Sequence, residues 1–72
     1  MATGTPKLDF APLRRVRESR GWSRLELAKK AGMHVATIDR IEGNKNQPAI
    51  NKVLALARAL GAPAESLYDV VE

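Results

Sequence analysis

The chain has 72 residues, no cysteine, and 12 Lys or Arg against 8 Asp or Glu, giving a net charge of +4. That length holds one domain near the lower size limit for a self-sufficient core, and the lack of cysteine excludes a disulfide scaffold or a thiolate metal site. The opening MATGTPKLDF lacks the apolar run of a signal peptide, and no stretch approaches the roughly 20 apolar residues that span a bilayer, so the expectation is a cytoplasmic chain with no membrane partner.

Residues 1–8 show no periodicity and are expected to form a mobile arm, leaving 9–72 as the folded domain. A first helix is expected from Phe10 to Ser19 or Arg20, with Phe10, Leu13 and Val16 on one face, Pro12 in the first turn and Gly21 as the stop. Ser23 and Glu26 have the spacing of a capping box and open a second helix, whose inward face is Leu27, Ala28 and Ala31. Gly32 supplies the left-handed backbone of a tight turn. A third helix runs from about His34 to Glu42, closed by Gly43, and NKNQP (residues 44–48) is a polar turn. A fourth helix, about Ala49 to Leu60, carries an apolar stripe of Ile50, Val53, Leu54, Ala57 and Leu60. Gly61 caps it, and Pro63 opens a short fifth helix to about Val70, with Leu67 and Tyr68 closing the core. These elements predict an all-α fold, a compact five-helix bundle.

Ser23 to Gly43 therefore reads as helix, glycine turn and short helix, a layout that points to the DNA major groove. The charge distribution agrees with this. Residues 1–30 hold 8 basic and 3 acidic groups, residues 31–60 hold 4 and 2, and residues 61–72 hold 0 and 3. A basic front and acidic tail suit a polyanion on one side, although the same excess is common on solvated surfaces. On a helical wheel Ile38 and Ile41 share one side of the third helix, and Val35, Ala36, Asp39 and Arg40 fall opposite. Small outward residues let a helix sit deep in a groove about 12 Å wide.

Single residues carry more than one reading. Arg40 can bond O6 and N7 of guanine, or pair locally with Asp39. Arg17 falls on the apolar face of the first helix and needs a partner there. Arg24 and Lys45 suit phosphate, whereas Lys29 reads as solvated charge. Trp22 is expected to pack under the first helix rather than stack on a base, and Leu25 is expected at the surface. His34 is the sole histidine and suits a helix cap or a phosphate better than a metal or a proton transfer. Asp39 and Glu42 lie three apart, but no nucleophile, phosphate loop or ligand cluster accompanies them, so no enzyme, catalytic residue, metal or cofactor is expected.

The segments LRRVRESRGWS, SRLELAKKAG, ATIDRIEG and PAINKVLALARALG, together spanning about Leu13 to Tyr68, are similar to the helix-turn-helix family of Cro and the phage repressors. The resemblance implies a lambda-repressor-like bundle that binds double-stranded DNA, with the third helix in the major groove. It implies a transcriptional repressor acting as a homodimer on half-sites ~34 Å apart, without a small-molecule ligand. By position, Val35, Ala36, Thr37 and Arg40 match base-contacting residues. Ser23, Arg24, His34, Asn44, Lys45 and Asn46 match phosphate-contacting ones, and Arg17 and Glu42 match a structural ion pair. Val35 and Ala36 stand where polar readers are usual, and suit thymine methyl groups instead. Arg24 stands where glutamine is usual, and His34 where Ser or Thr is. Leu67, Val70 and Val71 of the fifth helix form a candidate dimer surface. The alternative of a different class is a protein-interaction module, such as an antitoxin or coactivator domain, with DNA contact secondary.

Overall fold

The structure, a computed structural model, describes residues 7–45 and 47–71. In chain order it contains β1 (Lys7–Asp9), α1 (Ala11–Ser19), α2 (Arg24–Ala31), α3 (Val35–Glu42), α4 (Ile50–Leu60), a 3₁₀ turn (Ala64–Leu67) and β2 (Asp69–Val71). Four helices surround the core, and the two strands pair antiparallel, with Lys7 opposite Val71, Leu8 opposite Val70 and Asp9 opposite Asp69. None of the helices is long and apolar enough to cross a membrane.

Two expectations are corrected here. The fifth helix is a single 3₁₀ turn, after which the chain extends from Tyr68 into β2, so the fold is four helices with a small sheet rather than five helices. Strand propensity explains the change, because Tyr68, Val70 and Val71 are aromatic or β-branched. The boundary expected between residues 8 and 9 falls inside β1, where Lys7 and Leu8 are paired. Residues 1–6 of the expected arm lie outside the described residues.

The helix ends follow local chemistry. Ser23 Oγ accepts the Glu26 N–H at 3.1 Å, and Glu26 returns a carboxylate oxygen to the Ser23 N–H at 2.7 Å. Such a box satisfies two orphan amides, and a cap of this type is worth about 1 kcal/mol. The Ser23 backbone N–H first, and the Ser23 side chain second, hold the Glu26 carboxyl below its ordinary range. Gly32 takes φ +70° and carries the chain from α2 into α3, a conformation any side chain would strain.

The core is Phe10, Leu13, Leu27, Ala28, Ile38, Ile41, Val53, Leu56, Ala57, Leu60 and Leu67. Burying each of its large members stabilises the fold by roughly 1.5–3 kcal/mol. Trp22 and Val16 pack at its edge, and the Phe10 and Tyr68 rings meet with centroids 5.8 Å apart. The α4 stripe is rotated from the expected one. Leu56 is buried, whereas Ile50 and Leu54 are exposed. Eight apolar residues on that helix allow two adjacent stripes, and packing against α2 selects the one through Val53, Leu56, Ala57 and Leu60.

Candidate nucleic-acid interface

Ile38 and Ile41 are essentially inaccessible and fix α3 to the body. With those two inward, the opposite side of α3 carries Val35, Ala36, Asp39 and Arg40, all exposed. Thr37 is half-buried at the margin. An open hollow of about 390 Å³ separates α3 from the start of α4 and is bordered by Thr37, Arg40, Gln47, Pro48 and Lys52. A second hollow of about 370 Å³ lies beside the turn, bordered by Lys29, Met33, His34, Thr37 and Lys52. Lys52 thus stands between the two hollows. Sequence reading passed over it, because a single lysine on a helix reads as solvated charge. The available signal was its place in the first turn of the helix that follows the 44–48 loop.

A network of charges sets the attitude of α3. Arg17 Nε donates to Glu42 Oε2 at 2.7 Å and Arg17 Nη2 to Glu42 Oε1 at 3.1 Å. Its third nitrogen, Nη1, donates to the Trp22 carbonyl at 2.8 Å. Both side chains of the pair are buried. The Glu42 hydrogen bonds outweigh desolvation and raise the Arg17 pKa further above its ordinary value. A bidentate, fully bonded guanidinium is the arrangement that makes a charge tolerable in a core.

Arg24 joins the same network. Its Nε donates to Glu42 Oε1 at 3.1 Å and lies 3.4 Å from Asp39 Oδ1. Arg24 therefore bridges α2 to α3 and neutralises two carboxylates beside the exposed ridge. Its terminal nitrogens make no hydrogen bond among the described residues, so one guanidinium can hold these acids and face a phosphate together.

Asn44 is committed differently from its expected phosphate role. With φ +57°, its Oδ1 accepts the Phe10 N–H at 2.9 Å and its Nδ2 donates to Asp9 Oδ1 at 3.0 Å. The same Asp9 oxygen accepts the Ala11 N–H at 3.0 Å. Asn44 thereby secures the N-terminus of α1, and its bond, followed by that of Ala11, lowers the Asp9 pKa. His34 occupies the N-cap of α3 but makes no capping bond with its side chain, which is exposed, as is Lys45. Ser23, at the start of α2, has its side-chain oxygen occupied as the acceptor of the Glu26 N–H. Asn46 lies outside the described residues.

Two helices joined by a glycine turn, the second held by buried isoleucines and exposed on its far side, define a helix-turn-helix protein. Residues 13–67 match the family profile described as helix-turn-helix, and the chain belongs to this family, of the Cro and phage-repressor type, a class of DNA-binding transcription regulators. No curated protein sequence matches it. It is similar to the crystal structure of a hypothetical transcription factor, NHTF, from Neisseria, at 31% identity with a TM-score of 0.73; 76% of this chain and 62% of that one are covered. The chain thus spans under two thirds of the Neisseria protein's length. It is also similar to the restriction-modification controller protein C.AhdI from Aeromonas hydrophila, at 26% identity with a TM-score of 0.76, covering 79% of this chain and 83% of that one.

Proposed function

We propose that the protein binds double-stranded DNA sequence-specifically as a homodimer and represses transcription in the cytoplasm, by binding alone and without catalysis. The observation that carries this reading is the α3 ridge, where Val35, Ala36 and Arg40 are exposed while Ile38 and Ile41 are buried beneath them. In this reading α3 lies in the major groove. Arg40 addresses a guanine edge, Val35 and Ala36 meet thymine methyls, and Thr37 touches a base or the backbone. Arg40 makes no ion pair with Asp39; that carboxylate lies against Arg24 instead.

Phosphates are met by Ser23, His34, Lys45 and the free nitrogens of Arg24, which set register without reading sequence. We add Lys52, placed between the hollows on either side of Thr37. Similarity to a transcription factor and to a restriction-modification controller supports a regulatory role.

Selection from a random duplex pool tests the reading. The expected result is a two-fold symmetric consensus, bound with an affinity that falls with salt by about 0.9 log unit per phosphate neutralised for each log unit of salt. Recovery of no preferred duplex, together with binding indifferent to salt, would overturn it in favour of a protein-interaction module.

A further inference from the structure

We infer that the crest of α3 reads the C5 methyl group of a pyrimidine beside a guanine, whichever pyrimidine carries it, so that methylation of cytosine at C5 strengthens binding as thymine does. This names the ligand chemistry of the interface proposed above and rests on that reading. It starts from the way side chains are spread round the helix. At about 100° per residue, Ala36 stands at the crest, opposite the buried Ile38 and Ile41. Val35 and Asp39 flank it toward α2. Thr37 and Arg40 flank it toward α4, where they border the hollow with Lys52.

In the major groove thymine presents an O4 acceptor and a C5 methyl, and cytosine an N4 donor. Methylating cytosine adds the thymine methyl and leaves the N4 edge as it was. Telling the two apart takes a hydrogen-bonding group at C4, and the crest offers none. Val35 and Ala36 are exposed and carry only hydrocarbon. Asp39, whose carboxylate suits cytosine N4, has its Oδ1 3.4 Å from Arg24 Nε. The Gln47 amide, at the far side of the hollow, is committed to Leu8. The Leu8 N–H donates to Gln47 Oε1 at 3.1 Å, and Gln47 Nε2 donates to the Leu8 carbonyl at 3.2 Å. Thr37 is half-buried at the margin.

Arg40 supplies the guanine and one wall of the methyl site. It follows Ala36 by four residues, so the two stand one above the other, about 5–6 Å apart at Cβ. A long helical side chain leans back over the preceding turn. The guanidinium then meets a guanine one base step, roughly 3.4 Å, from the pyrimidine under Ala36. With five donors and no acceptor it addresses O6 and N7 of that guanine. Its flat, weakly hydrated face lies along the methyl group, with Ala36 and Val35 on the other sides. The step read in this way is a 5-methylpyrimidine next to guanine, which thymine and methylated cytosine both provide.

Duplex selection supplies the site, and Arg40→Ala identifies the guanine as the position whose preference relaxes. At the neighbouring pyrimidine the full chain is titrated against four otherwise identical duplexes, bearing thymine, uracil, 5-methylcytosine or cytosine. The expected result is a gain of thymine over uracil and of 5-methylcytosine over cytosine, each about fourfold per methyl, the worth of one buried methyl group. Ala36→Asn, at an exposed position, should abolish both gains and leave the salt dependence as it was. A gain with thymine but none with 5-methylcytosine would overturn the inference, since the C4 edge is then read as well. No gain on either base, gains that survive Ala36→Asn, an Arg40→Ala chain with unrelaxed preference, or a consensus with no thymine in the pairs beside that guanine would also overturn it. In each of these cases DNA binding itself stands. A chain that holds no duplex overturns both.

Discussion

The end of α1 and the exposed ridge of α3 carry the same chemistry to opposite purposes. Arg14, Arg17 and Arg20 are all bound within the chain. Arg14 pairs with Glu18, Arg17 with Glu42 and the Trp22 carbonyl, and Arg20 with the Leu60 carbonyl at the end of α4. Arg40, alone on α3, has no such partner among the described residues. Counting charges along the chain points to the first thirty residues as the basic region, yet much of that charge is structural. Lys30 adds to it, lying 4.8 Å from the centre of the Trp22 ring. Local abundance of charge is a poor guide to a ligand surface: among the described residues Arg15 and Arg58 are exposed without a hydrogen bond or ion pair, as Arg40 is, and what distinguishes Arg40 is its place on the exposed ridge of α3.

Substitutions on the two sides should separate cleanly. The largest effect is expected at Glu42, since Glu42→Ala strands the buried Arg17 guanidinium and costs roughly 3–5 kcal/mol. At about 4–8 °C per kcal/mol for a domain of this size, the loss should be plain in a thermal melt. Arg17→Met should cost less, because Arg24 still compensates Glu42, and equal losses would break the idea of a shared carboxylate. Arg40→Ala should leave the melt unchanged and lower discrimination by about 1–3 kcal/mol at one base position of the selected duplex. A uniform loss across all sequences would move Arg40 to the phosphate set. Lys52→Ala should weaken every duplex alike and make the log–log salt slope shallower by about 0.9, and an unchanged slope removes Lys52 from the interface.

The smallest effect concerns pH and lies on the structural side. The folded-state pKa of Glu26 is depressed, so its stabilising contribution is complete above the ordinary carboxylate range and is lost as pH falls through the folded value. Glu26→Gln should therefore flatten the acid limb of a plot of melting temperature against pH. Asp9, depressed in the same way by Asn44 and Ala11, should leave a residual slope in that variant.

What the sequence disclosed followed the range of the interactions. The capping box at Ser23 and Glu26, the turn at Gly32 and the inward pair Ile38 and Ile41 depend on neighbours within one or two helical turns, and each was legible in spacing. The partnership of Arg17 with Glu42 came through family resemblance, since 25 residues separate the two. Long-range features stayed hidden. Nothing near Val70 announces that it pairs with Leu8, and a three-residue strand is too short to show alternation. Asn44 looked like a polar loop residue because its bond to Phe10 spans 34 positions. Arg24 looked free because its acids lie on the next helix. Ile50 and Leu54 looked buried because two apolar rows ran side by side on α4.

The single amide of Gln47 has a mechanical consequence. It rivets the segment that leads from the third helix to the fourth onto the backbone of Leu8, whose neighbour across the sheet is Val70. Loss of that one side chain would remove two hydrogen bonds together and uncover the outer edge of β1.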